Sequence, residues 1–134
     1  MEIGLQNIDS LSKGERTMEI KRMNVSAQDD KRMQYKLTKS PNVQKLKDAV
    51  GQEIKVKAYC FYDDHKDGEQ EKLILTLMDA SGVVYGTNSK TAMSNFNDLL
   101  EIFGEDVDGD GLPIMVESSV SKNGREFIML VLAE

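Results

Sequence analysis

The stretch Asp106–Glu117, DVDGDGLPIMVE, satisfies the calcium-loop pattern D-x-[DN]-x-[DN]-G-x5-E at every specified position. In such a loop Asp106, Asp108 and Asp110 supply side-chain oxygens, Gly111 makes the sharp turn and Glu117 gives a bidentate carboxylate. The neighbouring residues argue against that chemistry. An EF-hand needs a helix on each side of its loop. The apolar segment AMSNFNDLLEIF supplies the first, but SSVSKNGREFIMLVL, β-branched and turn-rich, stands where the second belongs. Pro113 takes the loop position whose N–H normally pairs with a second loop, and the chain has no second loop. The stretch is expected to be a solvated acidic turn between a helix and a strand. No metal site is expected, and calcium should bind weakly or not at all.

Enzyme signatures are missing. No Ser or Cys sits in a G-x-S-x-G elbow. GTNSKT ends in Lys-Thr but lacks the glycines of a phosphate-binding loop, and fits a strand end followed by a helix cap. DDHKD sets His65 among acids, a run that suits a hairpin loop better than an acid–base site. A single cysteine, Cys60, rules out an internal disulfide and points to a reducing, cytoplasmic compartment. With one histidine beside it, a tetrahedral zinc site is excluded as a design. No cofactor and no catalytic role are expected.

Lys55-x-Lys57-x-Tyr59-x-Phe61 is more informative. If the segment EIKVKAYCFY alternates strictly as a strand, Ile54, Val56, Ala58, Cys60 and Tyr62 take one side. Two ammonium groups and two rings then line the other. That combination suits single-stranded nucleic acid, because cations track phosphates and rings stack on bases of any sequence. Tyr85 on a later strand would lie beside these rings, with Lys72, Lys90, Lys122 and Arg125 bordering the groove. The alternative is that Tyr59 and Phe61 pack under the N-terminal arm and the lysines serve solubility, since strands favour aromatics in any case.

The elements that would position these residues follow from pattern. Residues 1–40 are polar and weakly periodic: SLSKGER and NVSAQDDKR suggest loop or flexible arm, TMEIKRMNV one strand and MQYKLT another. Ser40-Pro41 opens a short helix, NVQKLKDAV, with Pro41 at its first position. Three strands follow, EIKVKAYCFY, KLILTLMD and VVYGTNS. Ser89 caps a helix whose Ala92, Met93, Phe96, Leu99, Leu100 and Phe103 form one stripe, stopping at Gly104. LPIMVESSV and REFIMLVL are joined by SKNG, a strong hairpin signal.

Strand, strand, strand, helix, strand, strand is the layout of an all-β, five-stranded OB-fold barrel with one helix between its third and fourth strands. The expected division is an N-terminal arm, partly flexible or accessory strands, over 1–40 and the OB-fold domain over 41–134. Charge divides similarly. Residues 1–50 carry ten Lys/Arg against seven Asp/Glu, and residues 51–134 seven against sixteen. The net charge of −6 argues against a uniform DNA-coating surface, yet screening over about 10 Å lets a basic face persist beside acidic loops. No apolar run approaches the roughly 18 residues of a membrane span, and the start MEIGLQNIDS lacks the layout of a signal peptide.

From about Pro41 onward the chain resembles the small single-stranded DNA-binding proteins of bacteriophages that infect Gram-positive bacteria. The likeness lies in VGQEIKVKAY, VVYGTNSKTAMSNFNDLLEIFG and SKNGREFIMLVL, in that order. It implies an OB-fold that coats single-stranded DNA during phage replication or recombination, without catalysis. Broader bacterial relatives end in an acidic tail that recruits partners; this chain ends LVLAE, so such recruitment is not expected. Single-stranded DNA is the expected partner, with a homo-oligomer through the N-terminal arm to be tested. The competing function is a non-enzymatic protein-interaction module, a phage-encoded inhibitor or DNA mimic, favoured by the acidic C-terminal part.

Overall fold

In the computed structural model, which describes residues 16–134, the organising element is a 14-residue strand, Glu53–Lys66. In chain order the elements are β1 (Arg16–Met23), α1 (Val25–Gln28), α2 (Lys31–Thr38), β2 (Gln44–Lys45), a single 3-10 turn (Leu46–Ala49), β3 (Glu53–Lys66), β4 (Leu73–Asp79), β5 (Val84–Thr87), α3 (Lys90–Asp108), β6 (Leu112–Val120) and β7 (Glu126–Leu132). One edge of β3 pairs with β4. The other is shared, with Glu53–Val56 against β6 and Cys60–Lys66 against β1. The strands form one curled sheet ordered β2-β5-β4-β3-β6-β7, with β1 beside β3. The all-β, barrel-like class expected from sequence holds. The sheet has seven strands among the described residues where five were expected, because β1 and the short β2 add to it.

Both faces of this sheet are covered. On one, α3 lays Ala92, Met93, Phe96, Leu100 and Val107 against Ile54, Val56, Tyr59, Phe61, Leu75 and Leu77. On the other, Met23, Ala27 and Leu37 cover Ala58, Cys60, Tyr62, Met78 and Val84. The strict alternation expected for β3 fails at one residue. Val56 faces Asp79 and Ala58 faces Met78 across the β4 ladder, so Lys57 is an extra residue, a β-bulge. One inserted residue sends every later side chain to the opposite face. Tyr59 and Phe61 therefore join Ile54 and Val56 in the α3 core, while Ala58, Cys60 and Tyr62 enter the second cluster.

The bulge leaves backbone groups off the ladder, and a buried, unpaired group is costly. Asn24 satisfies them. Its amide oxygen accepts from Tyr59 N–H at 2.9 Å and its Nδ2 donates to the Lys57 carbonyl at 3.4 Å. Nδ2 also donates to Asp108 at 2.8 Å. Lys57 itself reaches the end of α3, donating from Nζ to the Gly109 carbonyl at 2.6 Å, the favourable place for a cation on a helix. Gly111, at φ +101°, lets β6 start beside this lysine pair: a Cβ there would lie 2.8 Å from Lys55 Cγ.

Other expectations are corrected locally. NVSAQDDKR and MQYKLT form helices α1 and α2, because Asp30 accepts from the N–H groups of Arg32 and Met33 and so caps α2. NVQKLKDAV is β2 plus the 3-10 turn. Gln44 and Lys45 find a parallel partner in Tyr85 and Gly86, which competes with helix formation. Gly86 admits this crossing, since a Cβ there would sit 3.0 Å from Val43 Cγ1. The long helix does not stop at Gly104; it bends at Phe103 and continues to Asp108. Residues 16–40 contribute Met23, Asn24, Ala27 and Leu37 to the buried interior, so packing crosses the division drawn at residue 40. The part of the arm over 1–15 lies outside the described residues.

Candidate nucleic-acid interface

Nine sequence-derived candidates separate into four groups. Tyr59, Phe61 and Tyr85 are core residues, at most 9% exposed. The Tyr59 ring meets Phe96 edge-on at 5.4 Å and Phe61 at 6.0 Å, and Arg22 covers it at 5.9 Å from the ring centre. The expected open face of stacking rings is therefore not formed; the bulge at Lys57 turned it inward. Lys55 and Lys57, on β3, lie against the end of α3, with Lys57 donating to the Gly109 carbonyl and Lys55 beside Gly111. Lys122 and Arg125 are exposed at the tip of the β6–β7 hairpin.

Lys72 and Lys90 are brought together. They line one groove between the start of β4 and the first turns of α3, with Leu73 and Asn88 and with the carboxylates of Glu71 and Asp98. Lys72 also lines a second groove with Lys45, Lys47, Ile74 and Asn88. A third, walled by Lys47, Asn88 and Phe127, runs toward the β6–β7 hairpin. Asn88 is common to all three. Local structure fixes these positions. Ser89 caps α3 by accepting from Ala92 N–H at 3.1 Å, which sets Asn88 and Lys90 on either side of the cap. Lys72 is held through its own N–H, which donates to Asp63 at 2.7 Å. Burial pushes the Asp63 carboxyl up, but this bond and His65, 2.7 Å from its other oxygen, hold it below the ordinary value. DDHKD is not the expected turn: Asp63–Lys66 extend β3 and pair with β1, and the turn starts only at Asp67.

Lys45 and Lys47 were missed as candidates, as was the whole of α2. A signal existed. Residues 31–47, KRMQYKLTKSPNVQKLK, hold six Lys/Arg and no acid, in a chain of net charge −6. Residues 91–121 are the converse, with seven acids and no Lys/Arg.

The calcium-like stretch does not gather its carboxylates. Asp106 and Asp108 lie in the last turn of α3 and Glu117 is on β6, opposite Met129. Among the described residues no three His, Cys, Asp or Glu come together in a way that would hold a metal ion. Asp108 instead accepts from Ser26 N–H and Asn24 at 2.8 Å and from Val25 N–H at 3.3 Å, fastening α1. Burial raises this carboxyl, and the three donors outweigh it to leave its pKa lowered. Burial raises the Cys60 thiol to about 12, so it is unreactive at neutral pH. Among the described residues no helix is long and apolar enough to cross a membrane.

An all-β curled sheet with a helix across one face and lysines converging on a groove is the arrangement of an oligonucleotide-binding fold. A family model described as phage single-stranded DNA-binding protein, of Phi29 type, matches residues 26–133. The chain belongs to that family. No match was found among curated proteins or among solved structures.

Proposed function

We propose that the protein coats single-stranded DNA, tolerating any sequence and catalysing nothing, in phage replication or recombination within the cytoplasm of the host bacterium. In this reading β3 to β7 form the five strands of an OB-type core with α3 between the third and fourth. The DNA follows the grooves that meet at Asn88. The single observation behind it is the convergence of Lys45, Lys47, Lys72 and Lys90 on those grooves. Four ammonium groups match a phosphate track, and Leu73 and the half-buried Phe127 offer apolar surface to bases. Lys122 and Arg125 extend the track along the hairpin rim. Tyr59, Phe61 and Tyr85 act by holding the sheet in shape, and Lys55 and Lys57 by fixing the end of α3.

Fluorescence polarisation of a labelled dT oligonucleotide, at low and moderate salt, tests this. Lys72→Ala and Lys90→Ala should each weaken binding and lower the salt slope by about 0.7, the single-strand value for each phosphate no longer neutralised. A parent protein that ignores dT at low salt would return the interaction-module reading. Sedimentation of the full chain against one lacking residues 1–15 tests the homo-oligomer through the arm.

A further inference from the structure

α2 presents a face that no described element covers. Tyr35 is 56% exposed, and Lys31, Arg32, Lys36 and Lys39 around it are all exposed. None of these four cations makes an ion pair among the described residues. The helix contains no acid, and its cap residue Asp30 is occupied by backbone N–H groups. Lys31 and Tyr35, four residues apart, share one side of the helix at roughly 6 Å along its axis, and Lys39, the C-cap, follows Tyr35 with its N–H donating to the Tyr35 carbonyl at 2.8 Å. A flat ring is thus flanked before and behind by a positive charge.

The location is as telling as the composition. Leu37 anchors α2 on the sheet, its carbonyl accepting from Thr76 Oγ1 at 2.7 Å. Thr76 and Ile74 point to the same face of β4, two residues apart, and Ile74 lines the groove of Lys45, Lys47 and Lys72. Thr76 is also paired with Gly86, another residue of that groove. α2 therefore stands beside the groove, and the acid-free run 31–47 continues from one to the other.

From this we propose that α2 is a second contact for single-stranded nucleic acid, with Tyr35 stacking on a base while Lys31 and Lys39 meet the flanking phosphates. It would lengthen the stretch of strand bound by each copy of the protein. This rests on the groove being the primary site, and the two ideas fail differently.

The experiment is affinity against a ladder of dT lengths for the full-length parent, Tyr35→Ala, Tyr35→Phe and the Lys72→Ala/Lys90→Ala double variant. The parent's affinity should keep rising after oligonucleotides are long enough to fill the groove. Tyr35→Ala should match the parent on the shortest oligonucleotides and fall about fivefold to a hundredfold behind on long ones, the loss of one stacked base. Tyr35→Phe should keep the parent's length dependence, since the ring face remains. The groove double variant should lose affinity at every length. Tyr35→Ala equal to the parent at all lengths would overturn the proposal, whether or not the groove variant is impaired. The same equality with a lower sedimenting mass would assign α2 to contact between copies instead. Groove variants that bind normally would overturn the groove and leave the Tyr35 result to be judged alone. A melting curve guards the comparison, since an exposed ring leaves no cavity when removed.

Discussion

The two faces of the sheet are covered by different means. Under α3 lie large side chains: Tyr59, Phe61 and Phe96 form an aromatic group, joined by Leu75, Leu77, Ile114 and Leu130. Outside, this layer is acidic, with Asp98, Glu101 and Glu105 exposed beside Ile102, itself 75% exposed. Under α1 and α2 the contacts are smaller, Ala27 and Leu37 on Ala58 and Cys60, and the outside is basic. The α3 side holds most of the buried apolar residues and its outer surface is acidic, while the α1–α2 side holds fewer and its outer surface is basic. The bulge at Lys57 contributes to this division by sending both rings of β3 to the α3 side.

The largest effect should come from removing residues 1–40. The shortened chain loses Met23, Ala27 and Leu37 as covers, and Asn24 as partner of the bulge. Each buried large-to-small change costs about 2–5 kcal/mol against a total stability of about 5–15. Its heat unfolding is expected to lose cooperativity; a sharp melt would show that the smaller face is dispensable.

Phe61→Ala comes next, at about 3–5 kcal/mol by urea denaturation, as for any buried aromatic. A variant that melts like the parent yet binds DNA poorly would return Phe61 to the outer surface and undo the bulge.

Asn24→Ala should cost about 1–3 kcal/mol, the penalty of leaving buried backbone groups of β3 unpaired. Hydrogen exchange at Tyr59 N–H should accelerate in that variant. An unchanged rate would mean that the ladder, and not Asn24, holds the bulge.

The smallest effect concerns pH. The folded pKa of Asp108 is lowered, so its contribution is present above the ordinary carboxylate range and disappears as pH falls through the folded value. Asp108→Asn should therefore lower the melting temperature at neutral pH and close the gap to the parent below about pH 4. A gap that persists at acid pH would assign the loss to packing.

The sequence made some of this legible, and the reason is locality. The stripe of Ala92, Met93, Phe96 and Leu100 and the Asn123-Gly124 turn depend on neighbours only, and both stand as read. The bulge depends on Asn24 and Gly109, 33 and 52 residues from Lys57, and no window along β3 contains them. Ala58–Tyr62 is buried on both faces, so alternation there had no polar side to reveal its register. α2 was masked by its low apolar content, with only Leu37 fully buried. Lys72 and Lys90 were legible as cations, but their meeting at Asn88 depended on the fold.

The central proposal is that DNA lies on the lysines around Asn88, at the start of α3, and not along the far, acidic end of that helix. Lysine acetylation of the intact protein, free and saturated with a dT oligonucleotide, reads this directly by mass spectrometry. Lys45, Lys47, Lys72 and Lys90 should be protected when DNA is bound, and Lys55, beside the end of α3, should react as in the free protein. Protection of Lys55 with no change at Lys72 and Lys90 would contradict the account.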